Sequence, residues 1–590
     1  MAGYTLAAYS FLLLSFHSAS SQQNLKYYLE INEKSWDSFY VNITIRNNKF
    51  EKLLCGIPEM YPWFSKSYSK SSDDISELKV AGAYGEELLF NRIDSNTWLI
   101  DAKDNDIVII SYKVENTKDQ ILGDRINSTF ARVDCGISFM YIREFKKSPI
   151  QLVVRVPDHW KLATGLKPSN QIFEYHVDNY EQLTRHTLYM APFDDIYFTV
   201  QGRTCFIIID GKQNSYVRKL NTIPVKVAFY QTKLFNDIPF DQYLFIFKIF
   251  SGRRQIVSTA YENTSIIYLT YESAKENLFD IAREISSNFF QVWNGNRFYP
   301  KLLRWEQFKQ TPGTSSLWFY YGMSDYYGGL SLVRSGYCSE QDFINYNVKS
   351  INRLLRYLDK QLPSVAMLSS HIMKYDFRNS IDFIRLKGQL IGLILDLSIR
   401  ELTDNNRCLD DVMFFMNKWF GNENIGYNDR DIQRAICAVA GIDVTSFFDL
   451  YINGTAELPV IEALQNAGIF LESQRDTIPD LGELNISVDD NDVIHLSKQG
   501  PLENSGLKIG DKLISVNDQK IYYSQQLEQI VDSLAVGQEV NINIQRDGVS
   551  LMLIATVAGK PGFVVSLVSQ EPQTEKQQMI RKSWLAKQLP

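Results

Sequence analysis

Histidine is scarce in this sequence, with six in 590 residues. Past the N-terminal segment only His159, His176, His186, His371 and His495 remain, and no two stand four residues apart. That is the spacing at which two imidazoles on one helix face grip zinc. The six cysteines, Cys55, Cys135, Cys205, Cys338, Cys408 and Cys437, are dispersed without a C-x-x-C pair, which excludes a zinc ribbon. Free buried thiols and disulfides both stay open for them. Basic residues do not exceed acidic ones: 61 Lys and Arg stand against 68 Asp and Glu, a net charge of -7. Without a basic field to track a phosphate backbone, nucleic acid is not an expected partner. Long apolar runs are missing too. The best, Leu390 to Ile399, is short and holds Asp396, so no membrane span is expected. There is no G-x-S-x-G elbow to activate a serine.

What is present points to several domains, because the chain is far longer than one hydrophobic core requires. An apolar stretch from Leu6 to Phe16, followed by Ser18, Ala19 and Ser20, reads as a signal peptide over residues 1–20. The expected location is therefore periplasmic or extracellular. Asn42, Asn127, Asn263, Asn453 and Asn485 each begin an N-x-S/T sequon, which matters in a eukaryotic secretory route. From residue 21 to 203 the sequence alternates, as in Tyr40 to Arg46 and Ile107 to Lys113, and reads as a β-rich domain. A mainly helical domain is expected over 204–472, after a few strands reaching Tyr268. A compact β-rich module follows over 473–562, and 563–590 reads as a tail. The fold class is multidomain α+β.

Within the helical part, Leu278, Ile281, Ile285, Phe289 and Val292 recur at three- and four-residue steps and predict an amphipathic helix. On it Ser287 and Gln291 project from one face, with Asn288 beside them. In the last module, Gly506-Leu-Lys-Ile-Gly-Asp-Lys-Leu-Ile-Ser-Val-Asn517 closely matches the A-G-L-x-x-G-D-x-I-x-x-I-N signature of PDZ domains. Such domains bind an extended peptide as an added strand and capture its terminal carboxylate with backbone amides. Leu481 and Gly482 stand where that carboxylate loop belongs.

The run Ser287-Asn-Phe-Phe-Gln-Val-Trp-Asn294, continuing to Pro300, together with Leu317 to Tyr327 and Lys387 to Arg400, resembles the PDZ-containing glycyl aminopeptidase family. These are zinc metallopeptidases with a thermolysin-like, gluzincin catalytic domain. The family's zinc helix reads H-E-F-F-H-x-W-N, its second helix L-W-x-x-E-G-x-T-x-Y-Y, and its third K-G-x-L-x-x-x-x-L-D-x-x-I-R. The flanks agree, and the chemistry does not. Ser287 and Gln291 stand at the two histidines, Asn288 at the catalytic Glu, and Tyr321 at the third ligand. Ile384 and Arg385 occupy the candidate positions of a Tyr that would stabilise the transition state.

Hydroxyl, amide and phenol are poor zinc donors at neutral pH, and Asn288 cannot take a proton from water. The resemblance therefore implies a degenerate member with no zinc, no cofactor and no catalytic residues. In the family a G-G-L-E-H-x-x-S strand holds the substrate amine through its Glu. Glu262 keeps that position, so the expected substrate-binding residues are Glu262 and Tyr321, with a peptide or protein terminus as partner. Two other readings stay open. Glu284 and Asp325 flank the site and could weakly hold a hard cation such as calcium. An active aminopeptidase or hydrolase with an atypical site would need Ser287 as nucleophile and a base such as His371 brought in by the fold.

Overall fold

The computed structural model describes residues 24–587 except 32, 34–35, 59–74, 117–124, 253–255, 304–312, 358–361, 373–376, 483, 486–494, 497–499, 509, 522–526, 528–529 and 569–572. The signal peptide expected over 1–20 lies outside these residues.

The N-terminal part is built on a seven-stranded sheet with two four-stranded sheets packed around it. Its strands keep the period-2 burial that their sequences announce: in Ile107–Glu115 the side chains of Val108, Ile110, Tyr112 and Val114 face the core and their neighbours do not. Leu25–Glu30 pairs parallel with Ile150–Arg155 and antiparallel with Ser38–Arg46, tying the start of the domain to its middle. The boundary with the next unit falls earlier than the expected 203. Asp194–Val200 pairs with Arg203–Asp210 and so belongs to the central sheet.

That sheet has five strands in the order Asp194–Val200, Arg203–Asp210, Gln242–Phe250, Thr264–Thr270, Ile256–Ala260. The three middle strands run parallel and the two outer ones antiparallel to their neighbours. Gln242–Phe250 is almost wholly apolar, as a strand covered on both faces must be. One edge is Ile256–Ala260, half-exposed and lying against helix Leu278–Phe290, the first site helix.

A second helix, Leu317–Arg334, is buried along its whole length. It crosses the third, Phe377–Leu402, at backbone contact. Glycines make this possible: a Cβ on Gly388 would stand 2.4 Å from the Trp318 carbonyl oxygen, and one on Gly322 2.3 Å from the carbonyl carbon of Gly388. Aromatic rings pack this core, where Phe290 stacks on Tyr327 with ring centroids 4.5 Å apart. Tyr320, Tyr321, Tyr326 and Tyr327 are all buried.

The C-terminal module hangs on a two-stranded ribbon, Leu471–Asp480 against Ala558–Leu567, and contains a four-stranded sheet with its own apolar core. Residues 563–590 are not the tail their sequence suggested. The ribbon runs to Leu567, and helix Glu575–Leu585 docks on the central domain with Ile580 and Trp584 fully buried. Trp584 Nε1 donates to the Tyr326 hydroxyl at 2.9 Å, and Arg334 Nε donates to the Trp584 carbonyl at 2.7 Å. All six cysteines are free thiols. Cys55, Cys135 and Cys205 are buried, and burial pushes the Cys55 thiol up to about 12.

Candidate functional site

The first site helix buries Ile281, Ile285 and Phe289 and turns a polar ridge toward the second helix and the edge strand. Ser287 lies in that ridge where it meets the second helix, so close that a Cβ on Gly328 would stand 3.0 Å from its own Cβ. Its hydroxyl donates to Asp325 Oδ1 at 2.8 Å. Four residues after Tyr321 on the second helix, Asp325 in turn receives Arg385 of the third helix through Nε and Nη2, each at 2.8 Å. The glycine crossing explains this meeting. Arg385 stands three residues before Gly388 and Asp325 three residues after Gly322, so close approach of the backbones brings the two side chains together.

Two further charges complete a cluster. Arg283 Nη1 lies 3.6 Å from Asp325 Oδ1, and its Nη2 bonds Glu284 Oε1. Ser258 of the edge strand donates to Glu284 Oε2 at 2.6 Å, and Arg385 Nη2 lies 3.8 Å from that oxygen. Burial alone would raise the Asp325 carboxyl; the Arg385 charge and its two N–H donors, with Arg283 and Ser287, outweigh it and hold the group below the usual carboxylate range. Glu284 behaves alike, burial being overcome by Arg283 and Arg385. The two carboxylates weighed for a hard cation are thus bracketed by two guanidinium groups, which corrects that reading. Among the described residues no group of three or more His, Cys, Asp or Glu side chains gathers to hold a metal ion.

Gln291, Tyr321 and Ile384 are likewise engaged in protein contacts. Tyr320 donates its hydroxyl to Gln291 Oε1 at 3.0 Å. Burial raises the Tyr321 phenol, with Arg385 pulling weakly the other way, so no phenolate forms at neutral pH. Ile384 is buried in the core. Ser287, Gln291 and Tyr321 therefore do not fit zinc: one hydroxyl is donated to a carboxylate, one amide oxygen already accepts, and one phenol stays protonated. His371 offers Ser287 no base. It is half-buried, with Nδ1 3.2 Å from the Met367 carbonyl, while the Ser287 hydroxyl donates to Asp325.

Just past the cluster, Gln291, Tyr320, Asn296, Ala260, Tyr261, Glu262 and Arg185 line a narrow recess. Glu262 follows the edge strand, and its backbone is pinned from both sides: its N–H donates to the Arg185 carbonyl at 3.2 Å, and Asn296 Nδ2 donates to its carbonyl at 3.1 Å. The carboxylate oxygen Oε2 is buried and accepts no hydrogen bond among the described residues. Its nearest cation is Arg185 Nη1 at 3.6 Å, too long for a hydrogen bond. Arg185 reaches this recess from the N-terminal domain and is also bonded to Glu181.

Arg185 and Arg283 were missed in the sequence. For Arg283 a signal existed, since it stands one turn before Ser287 beside a Glu. Arg185 lies 77 positions from Glu262 and is brought there only by the fold. In the C-terminal module Leu481 is buried in the module's core, and Gly482 has φ +96°, the left-handed conformation that glycine adopts without strain.

Comparison with known proteins follows the same division of the chain. Residues 26–191 match the Peptidase M61 N-terminal domain, 282–387 the M61 glycyl aminopeptidase domain, and 468–557 a PDZ domain. Among solved structures, an aminopeptidase N family protein from Idiomarina loihiensis superposes with a TM-score of 0.75 at 21% identity, over 95% of this chain and 100% of that one. An M1 zinc metallopeptidase from Deinococcus radiodurans gives a TM-score of 0.47 at 12% identity, over 74% of this chain and 95% of that one. No curated protein sequence matches. Its N-terminal, peptidase and PDZ segments are thus matched, in that order, by the M61 N-terminal, M61 glycyl aminopeptidase and PDZ domain models.

Proposed function

We propose that this protein is an exported, non-catalytic homologue of the glycyl aminopeptidases that binds peptide or protein termini. The amine end is held in the groove beside Glu262, and a carboxylate end in the PDZ domain. One contrast carries the reading. Side chains at the zinc positions are consumed in protein contacts, Ser287 on Asp325 and Gln291 by Tyr320, whereas Glu262 keeps a buried oxygen with no hydrogen-bond donor. A carboxylate needs no metal to bind an ammonium group. The edge strand Ile256–Ala260 adds to this, because among the described residues its outer side pairs with no other strand, and an extended peptide can add to such an edge. Export rests on the apolar stretch Leu6 to Phe16 and the small residues Ser18, Ala19 and Ser20 that follow it.

The test is direct. Protein purified without chelator is assayed for metal by mass spectrometry and for release of Gly or Ala from unblocked peptides. Sub-stoichiometric zinc and no turnover, with binding of unblocked but not N-acetylated peptides, is the expected result. One equivalent of tightly bound zinc with peptide turnover would overturn it.

A further inference from the structure

Asn288 is the residue whose presence the loss of catalysis does not explain. It is 5% exposed, yet its side-chain Nδ2 is buried with no hydrogen-bond partner among the described residues. Leaving a buried amide donor unsatisfied costs about 1–3 kcal/mol. A small apolar residue would fill the position without that cost.

Its place in the fold shows what would satisfy it. Glu284, Asn288 and Gln291 stand at i, i+4 and i+7 on the first site helix and so share one face. Glu284 is bonded to Ser258 of the edge strand, and Gln291 lines the recess beside Ala260 and Glu262. Asn288 therefore falls between them on that face, about one turn from Gln291. Three residues of helix rise about 4.5 Å, and an extended peptide advances about 3.3 Å per residue. On these spacings a chain with its ammonium group at Glu262 would carry its first carbonyl toward the Asn288 side of Gln291.

We propose that Asn288 is a carbonyl-binding residue: its amide N–H donates to the first peptide carbonyl of a chain whose N-terminal ammonium is held by Glu262. This rests on the reading of the groove as a site for peptide N-termini. It also gives the Asn a positive role. A carboxylate at this position would repel a carbonyl oxygen, whereas an amide donates to it. The two unsatisfied groups are complementary to the two ends of one aminoacyl unit, Glu262 Oε2 an acceptor and Asn288 Nδ2 a donor.

The probe is trialanine amide, whose blocked C-terminus gives the PDZ domain no carboxylate. Its companion is the same peptide with a thioamide at the first carbonyl, sulfur being the weaker acceptor. Binding to the full chain is measured by ligand-observed NMR, with circular dichroism to confirm that each variant folds. Wild type is expected to prefer the oxygen peptide. Asn288→Ala should weaken it by about five- to tenfold, the size of one neutral hydrogen bond, and Asn288→Asp by more. The same substitutions should change thioamide binding less than twofold. Equal binding of trialanine amide by wild type and Asn288→Ala overturns the assignment while leaving the groove reading intact. Absence of binding by wild type, or binding unaffected by Glu262→Gln, overturns the groove reading and the assignment with it.

Discussion

Arg385 lies bidentate on Asp325, with Nε and Nη2 each 2.8 Å from a carboxylate oxygen, and this pair is the centre around which the site is built. The Asp325 side chain is 7% exposed and that of Arg385 27%. Removing one partner strands the other charge in a poorly hydrated place, whereas removing both does not. Arg385→Ala is expected to destabilise the central domain by about 2–4 kcal/mol, less than a fully enclosed pair would lose. Arg385→Met with Asp325→Leu should recover at least half of that. Urea unfolding followed by tryptophan fluorescence measures both, and equal losses for the single and double variants would contradict the argument.

Acid should reveal the same pair. The Asp325 and Glu284 carboxyls are held below their usual range despite burial, so they add stability that is present above the unfolded carboxyl pKa. That contribution is lost as pH falls through the lower folded values, while the guanidinium groups stay charged. The gap in unfolding free energy between wild type and Asp325→Asn should be flat from about pH 5 to 8 and shrink below about pH 4. A gap that stays constant down to pH 3 would mean that Asp325 is not stabilised by its partners.

Rebuilding the zinc site requires more than restoring its ligands. Ser287→His, Asn288→Glu, Gln291→His and Tyr321→Glu together supply the donors, yet Arg385 still brings a fixed cation to Asp325, which bonds the Ser287 hydroxyl. A dication beside a guanidinium is opposed by like charge. The fourfold variant is expected to bind zinc at least tenfold more weakly than the fivefold variant that adds Arg385→Tyr. Competition with a chromogenic chelator measures this. Indistinguishable affinities would show that Arg385 does not guard the position.

The domain order and the three site helices were legible in the sequence because periodicity and flanking motifs are local signals. Gly322 and Gly388 carry the helix crossing, and both lie in segments whose resemblance to the family was already visible. What escaped was long-range pairing. Arg185 and Glu262, or Arg283 and Asp325, come together through the fold, and a charged side chain gives no sign of its partner in a single sequence. The docked helix Glu575–Leu585 was hidden for a related reason. Most of its residues are polar, and its anchor depends on Ile580, Trp584 and Leu585, too few to set up a clear period.

Lys387 gives the clearest separation between a residue kept for packing and one kept for charge. It is 5% exposed, precedes the Gly388 crossing, and makes no ion pair among the described residues, so burial lowers its ammonium to about 8. An unfolded lysine titrates near 10.4. Between about pH 8 and 10.4 the unfolded chain therefore binds more protons than the folded one, and stability rises with pH across that window. Below it, folding carries a charged lysine in a place that disfavours it, at a cost on the order of 3 kcal/mol. Lys387→Met keeps the aliphatic stem and removes the charge. It should stabilise the protein at pH 7, and the advantage should fade as pH climbs toward 10.5. Urea unfolding of both proteins at pH 7, 9 and 10.5 measures the effect. An advantage unchanged across the series would assign it to packing alone; a loss of stability at pH 7 would mean that the ammonium has a partner in the folded chain.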